Sequence, residues 1–202
     1  MTNEHLAELG SAAAGIAHDI NNQLTLILNY LEISNVEGAR AAAGRCSALT
    51  AGLLSRCRGG EIIHLQTLDA RAFLLDFADS LSLPDTVSLT LDTTAAHPTI
   101  KADPLALTRV LTNLIANACD AMRNAGSIAI RVVDRAIEIT DSGPGIPSAL
   151  AKRVFEPFFT TKGHKGTGLG LAIVREIMRE HGGSVTLRNE PHRGATFSLR
   201  FR

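Results

Sequence analysis

The sequence has no tryptophan, one tyrosine and seven phenylalanines, 4% aromatic in all, so any core must be filled by Leu, Ile, Val and Ala. At 45% hydrophobic, those residues are plentiful enough to build one. Net charge is also missing: 20 Lys and Arg balance 20 Asp and Glu, which leaves no electrostatic footprint for nucleic acid or an anionic membrane surface. Cysteine is scarce and odd in number. Cys46, Cys57 and Cys119 lack the spacing of a disulfide framework and fit reduced thiols. No apolar run approaches the roughly 18–20 residues of a membrane span. The start, Met1-Thr2-Asn3-Glu4, lacks the basic residues of a signal peptide. The expectation is a cytoplasmic chain of one or two domains, since domains run to roughly 100–200 residues.

Proline is absent from residues 3–31, where Leu6, Leu9, Ala13, Ile16, Ile20, Leu24, Ile27 and Leu31 recur at spacings of three and four. That pattern predicts a helix with one apolar stripe, ending near Ile33 because Ser34-Asn35 is turn chemistry. His18 stands two residues from Ile16 and from Ile20, about 200° around the helix, on a face it shares with small and polar residues. A histidine so placed is equally an ordinary solvated one. A second helical pattern, from about Glu37 to Arg58, carries Ala39, Ala42, Cys46, Leu49 and Leu53, with Gly38, Gly44 and Gly52 allowing close backbone approach. Two antiparallel helices leave a long stripe uncovered. Pairing two such hairpins into a dimeric four-helix bundle is the economical remedy, packing against the rest of the chain the alternative.

Arg58-Gly59-Gly60 reads as a linker between a hairpin of residues 1–60 and a second domain of residues 61–202. In the second domain Glu61–Leu68, Val87–Leu91, Pro98–Lys101, Ser127–Val133, Arg135–Thr140, Ser184–Arg188 and Ala195–Phe201 are expected strands. Asp69 and the pair Asp103-Pro104 open expected helices that run to Leu81 and Arg123, and a third spans Leu169–Glu180 before Gly182-Gly183. Without strict β-α alternation this is an α/β sandwich, helices on one face of a largely antiparallel sheet.

Four segments of this domain carry chemistry. Asn113 and Asn117 lie one helical turn apart, so they share a face, and Asn117 could lend a neutral oxygen to Mg²⁺, although such pairs are common as solvated amides. Asp141 follows a strand and could accept a hydrogen bond from an exocyclic amine such as adenine N6, while Gly143 and Gly145 permit close approach of a ligand; alone, the segment is equally a Gly-Pro turn. Gly166-Thr167-Gly168-Leu169-Gly170-Leu171 opens a helix with bare backbone amides suited to phosphate, without the Gly-Lys-Ser/Thr ending of a P-loop. Phe155-Glu156-Pro157-Phe158-Phe159-Thr160-Thr161-Lys162 and the following Gly163-His164-Lys165 read as an aromatic docking segment and a basic lid, or as core rings.

Taken together, Asn-x-x-x-Asn-Ala-x-Asp-Ala (113–121, with Asp120), Asp-x-Gly-x-Gly-Ile-Pro (141–147, with Ile146), the Phe-Glu-Pro-Phe-Phe-Thr-Thr-Lys segment and Gly-Thr-Gly-Leu-Gly-Leu resemble the N, G1, F and G2 boxes of two-component sensor histidine kinases. Gly-Ile-Ala-His-Asp-Ile-Asn-Asn (15–22) resembles their H box in its His-Asp-x-Asn-Asn form. The resemblance spans nearly the whole chain. It implies an ATP-dependent protein-histidine kinase, with His18 as phosphoacceptor, Asp19 as the acidic neighbour that takes up its proton, and Asn22 orienting water for dephosphorylation of a response regulator. It further implies that Asn117 holds Mg²⁺, Asn113 lies beside the phosphates, Asp141 reads adenine, Lys162 and Lys165 neutralise phosphate charge, and Thr196 supports the adenine aspartate.

Ile20 and Gln23 depart from the Phe and Leu usual in this H-box form, which alters packing only. The short lid between Phe159 and Gly166 suggests fast nucleotide exchange. The helical pattern begins within a few residues of Met1, so the input is expected from a separate sensor protein, or the chain is an excised core. The expected partners are a second copy and the receiver domain of a response regulator. Two other classes compete: a phosphotransfer or scaffold protein with a degenerate ATPase domain, and a conformational ATPase of the gyrase/MutL kind. Intact Asn117, Asp141 and G2 glycines argue against the first, and Asn113 in place of a water-activating glutamate, together with the H box, against the second.

Overall fold

The computed structural model describes residues 20–36, 38–39, 42–44, 46, 63–95, 98–157, 159–162, 167–189 and 194–202. Two compact units make up the chain: Met1–Glu61 with Pro157–Leu169, and Ile62–Glu156 with Gly170–Arg202. In the first, residues 20–32 form a helix (α1), and the described residues from 36 to 46 belong to a second (α2). Ser34 takes a left-handed conformation at φ 56° and turns the chain. Asn35 then caps α2, its Oδ1 accepting the Gly38 N–H at 2.9 Å, so the helix opens at Val36 rather than Glu37.

The expected stripe on α1 divides in two. Ile20, Gln23, Ile27 and Tyr30 are half-buried, and a Cβ on Gly38 would come within 2.8 Å of the Tyr30 ring, the close approach expected of that glycine. Leu24, Leu28 and Leu31 are 45%, 62% and 53% exposed. On α2, Ala39 and Ala42 are buried and Cys46 is half-buried. The earlier stripe residues Leu6 to Ile16, the later Leu49 and Leu53, and the Arg58-Gly59-Gly60 linker lie outside the described residues.

The second unit contains, in order, β1 (Gln66–Asp69), α3 (Ala70–Ser80), β2 (Val87–Asp92), β3 (Thr99–Ala102), α4 (Pro104–Ala121), β4 (Gly126–Val133), β5 (Ala136–Asp141), α5 (Gly170–Glu180), β6 (Ser184–Asn189) and β7 (Ala195–Arg200). Five strands form one sheet in the order β2-β4-β5-β7-β6; β2 runs parallel to β4 and the other neighbours are antiparallel. β1 and β3 pair separately as an antiparallel ribbon. The long strand expected over Glu61–Leu68 therefore shrinks, among the described residues, to Gln66–Asp69. Its only partner, β3, offers four residues, Thr99–Ala102, for pairing.

Side chains of β4 alternate strictly, Ile128, Ile130 and Val132 inward and Ser127, Ala129, Arg131 and Val133 outward. Register places Ile130 beside Ile139 and Ile139 beside Phe197, so one face of three adjacent strands is apolar. α3 (Leu74, Phe77), α4 (Leu107, Val110, Leu111, Leu114) and α5 (Val174, Ile177, Met178) cover it in one continuous core. Burying each such Leu or Ile contributes about 1.5–3 kcal/mol, which is how a chain so poor in aromatics holds the fold. Both expected caps are present: Asp69 accepts from Arg71 and Ala72, and Asp103 from Leu105 and Ala106, with Pro104 in the first turn. Among the described residues no helix is long and apolar enough to cross a membrane. Cys119 is a free thiol, buried in the core.

Candidate functional site

In the second unit the Asp141 segment leaves the end of β5, and the Asn113–Asn117 face of α4 lies against the start of α5 at Gly170. Asp141 is the last residue of β5, only 6% exposed. Its Oδ1 accepts the N–H of Gly143 at 2.8 Å and that of Ala195 at 3.4 Å. Burial pushes the carboxyl above its ordinary pKa, and the two backbone N–H groups offset this only in part. Such a carboxylate is costly without a ligand and fixed in direction.

The Asp141 geometry depends on a residue that sequence reasoning passed over. Gly194, just before β7, has φ +90°, and a Cβ there would overlap the carbonyl oxygen of Asp141. Only glycine lets this backbone lie against β5 and present the Ala195 N–H to the carboxylate. In the sequence Gly194 stands two residues before Thr196, in Gly-Ala-Thr-Phe. Gly194→Ala should lower the melting temperature by roughly 5–8 °C, for a strain of about 2 kcal/mol, and weaken nucleotide binding more than tenfold, on the order of losing one positioned hydrogen bond. Calorimetry with a nucleotide titration checks both; an unchanged protein would remove Gly194 from the site.

Thr196 is buried, but its hydroxyl shares a 2.9 Å hydrogen bond with Thr140, its register partner on β5, and the Asp141 carboxylate is held by its neighbour Ala195. Asn113 and Asn117 are half-buried on one face of α4, as their spacing requires, and Asp120 is exposed. Asn113 Nδ2 donates to the Arg109 carbonyl at 2.8 Å, which turns its Oδ1 towards the start of α5. There a Cβ on Gly170 would stand 3.0 Å from Asn113 Oδ1 and 3.6 Å from Asn117 Nδ2. Gly170 thus brings the N-terminal amides of α5, natural anion donors, directly beside the two asparagines. Beyond Asp141, Gly143 is buried, its would-be Cβ 2.8 Å from Asp141 Oδ1; Gly145 has φ 72°, and Ile146 packs against the core.

The other candidates belong to the unit formed by Met1–Glu61 and Pro157–Leu169. Lys162 is exposed, its N–H bonded to Thr160 Oγ1 at 3.1 Å. Thr167 Oγ1 accepts the Leu169 N–H at 3.3 Å, Gly168 has φ 66°, and Leu169 is buried. Asn22 is exposed on α1. His18, Asp19, Lys165 and Gly166 lie outside the described residues. Of the expected docking aromatics, Phe155 is instead partly buried and packs edge-on against Phe197 with ring centroids 6.2 Å apart; Phe159 is half-buried, and Phe158 lies outside the described residues.

The residues present fit a purine nucleotide: a buried acceptor at a strand end and an amide-lined helix start. They also fit Mg²⁺ in the form Asn117 allows. Among the described residues no three His, Cys, Asp or Glu side chains cluster, so an ion here would draw its remaining ligands from phosphate and water.

A family profile described as histidine kinase-, DNA gyrase B- and HSP90-like ATPase matches residues 102–202. The chain is 34% identical over 216 residues to the sensor histidine kinase ZraS of Escherichia coli K12, covering 97% of this chain and 46% of that protein. It is 32% identical over 217 residues to the histidine-protein kinase AtoS of the same organism, covering 97% and 35%. The chain thus spans less than half the length of these curated relatives. Among solved structures, the catalytic domain of histidine kinase ThkA aligns with 30% identity and a TM-score of 0.53, covering 67% of this chain and 95% of that one. ThkA in complex with the response regulator TrrA shares the fold, at 22% identity and a TM-score of 0.70 over 98% of this chain and 63% of that one. With the buried Asp141 carboxylate and the Asn113–Gly170 contact in place, the chain belongs to the histidine kinase-, DNA gyrase B- and HSP90-like ATPase family, as a catalytic core of the two-component sensor histidine kinase type.

Proposed function

We propose that the chain binds Mg-ATP, phosphorylates itself on His18 and passes the phosphoryl group to an aspartate of a response regulator. One observation carries the nucleotide half of this reading: Asp141, buried at a strand end and held by two backbone N–H groups, shares a compact unit with Asn113, Asn117 and the N-terminus of α5. In this reading Asp141 accepts from the adenine amino group, and the amides at Gly170, with Asn113, face the phosphates. Lys162 and Lys165 neutralise phosphate charge. Asn117 would hold Mg²⁺, which when bound would supply positive charge to stabilise the phosphates during transfer.

For the transfer itself, a ring nitrogen of His18 attacks the γ-phosphorus, the bond to the ADP oxygen breaks, and Asp19 takes the imidazole proton. The resulting N–P bond is high in energy and labile to acid, so the phosphoryl group can move on to a regulator carboxylate. Support for that partner comes from family membership and from a kinase of the same fold seen with a response regulator. Both reactants put this part of the chain in the cytoplasm. Incubation with γ-labelled ATP tests the proposal: acid-labile, base-stable label on the peptide containing His18 is expected, and an inert or base-labile product would refute it.

The bundle is proposed on the exposed seam of α1. Leu24, Leu28 and Leu31 step by four and three, as residues of a helix–helix interface do, and a second copy would bury them. Leu28→Glu should therefore shift the chain from dimer to monomer in sedimentation; a monomeric parent would end this part of the reading. Asn22, exposed near the expected phosphoacceptor in sequence, is assigned to the reverse reaction. Asn22→Ala should autophosphorylate within about twofold of the parent yet accelerate regulator dephosphorylation about tenfold less, the scale of a lost positioning contact to water. Following regulator-phosphate decay with either protein decides this, and equal acceleration would strike Asn22 from the mechanism.

A further inference from the structure

Among the described residues His181 is the most deeply buried titratable side chain that the site does not use, at 4% exposure. Its two ring nitrogens have partners that leave no choice of tautomer. Nδ1 lies 2.8 Å from the Ile177 carbonyl, which can only accept, so Nδ1 carries the proton. Nε2 lies 3.0 Å from the backbone nitrogen of Asp103, an N–H that can only donate, so Nε2 is the acceptor. The ring edge also meets Phe201, with centroids 6.4 Å apart. His181 thereby ties the C-terminal end of α5 to the capping residue of α4. Asp103 is itself fully engaged: Oδ1 accepts from Leu105 at 2.9 Å and Ala106 at 3.1 Å, and Oδ2 accepts from His64 at 2.9 Å.

The other end of α5 is Gly170, against Asn113 and Asn117. From Asp103 to Asn113 is about 15 Å along α4, and from Gly170 to His181 about 16 Å along α5, at 1.5 Å per residue. The two helices therefore run antiparallel, the first half of α4 alongside the full length of α5. At the Gly170 end the contact sets how near the helices lie. At the His181 end a directional hydrogen bond sets how far one can slide along the other, since a shift of about 1 Å would break it. We propose that His181 is a positioning residue for the nucleotide. Through the Asp103 N–H it fixes the axial register of α5, and so the placement of the α5 amides relative to Asn113 and Asn117. This rests on the ATP-site reading above and deepens it.

The test uses the whole chain and Mg-AMPPNP as the probe. In His181→Phe the ring is kept, the Ile177 and Asp103 bonds are lost, and affinity should fall roughly tenfold, the scale of one buried bond left unmade. In His181→Gln the amide oxygen can again accept from Asp103, and affinity should return to within about threefold of the parent, a rescue that packing alone would not give. A reciprocal measurement needs no variant. If the clamp favours nucleotide, nucleotide must favour the clamp, so saturation with Mg-AMPPNP should slow amide exchange of Asp103 by more than that of Leu74 in α3. A folded His181→Phe that binds like the parent overturns the proposal, as does equal slowing at Asp103 and Leu74. Should His181→Phe fail to fold, the exchange measurement on the parent decides alone. A parent that binds no Mg-AMPPNP overturns the ATP-site reading and this inference with it, whereas a binding parent without coupling overturns this inference only.

Discussion

His18→Ala should reduce labelling of the chain by γ-labelled ATP to background, a loss of at least about a thousandfold, while Mg-ATP affinity stays within about twofold of the parent. The two expectations have different sources. A covalent acceptor has no substitute: alanine offers no atom to attack phosphorus, and neighbouring Asp19 would give a mixed anhydride, labile to base as well as to acid. Affinity, by contrast, is assigned chiefly to Asp141, Asn113, Asn117 and Gly170, all in the unit formed by Ile62–Glu156 and Gly170–Arg202, which does not include residue 18, and the substitution leaves Lys162 and Lys165 unaltered. Autoradiography and a calorimetric titration on the same preparation read both. Persistent acid-labile label would move the phosphoacceptor elsewhere, and lost affinity would mean that residue 18 serves the nucleotide site directly.

Local chemistry made parts of the fold legible. Asp69 and Asp103-Pro104 were readable as helix starts because a capping carboxylate and a first-turn proline act within three residues of themselves. The β4–β5 hairpin was readable too, although both Asp134 and Arg135 are spent on the turn, so β5 starts at Ala136 and carries Asp141 as its last residue. What depends on distant pairing was not. β2 extends to Asp92 because it lies parallel to β4, with Asp92 opposite Arg131, a partner 39 residues on. The α1 stripe read as one surface, and Leu28 was left out of it, because periodicity cannot tell a face covered by α2 from one awaiting another partner. At the site, Asp141 and the asparagines stood out by residue type. Gly194 and His181 did not, since a glycine before a strand or a histidine after a helix gains its meaning only from the backbone brought against it.

Asp141→Asn should produce opposite effects on stability and binding. Its Oδ1 can keep both bonds, from Gly143 and from Ala195, so the local structure survives. What disappears is a buried charge. Burial raises the Asp141 pKa in the fold, so the folded state holds its proton more tightly than the unfolded chain does. The stabilisation from that proton is complete below the unfolded pKa and is lost as pH rises through the raised folded value. At neutral pH the ligand-free parent therefore bears the cost of an ionised, buried carboxylate, and the asparagine variant does not. Without nucleotide the variant should be the more stable by on the order of 1 kcal/mol, a rise of roughly 2–4 °C in melting temperature. The gap should close as pH falls through the Asp141 pKa. ATP binding should meanwhile weaken at least about a hundredfold, because the second side-chain atom becomes an NH₂ donor facing the donor amino group of adenine. Inosine triphosphate, with a carbonyl at that position, presents an acceptor instead and should lose far less, so the preference for ATP over ITP narrows or inverts. Thermal melts from acid to neutral pH and titrations with the two nucleotides measure all of this. A variant that is less stable at neutral pH would show that Asp141 is held as a favourable ion in the empty site, and an unchanged ATP-to-ITP ratio would take adenine recognition away from it.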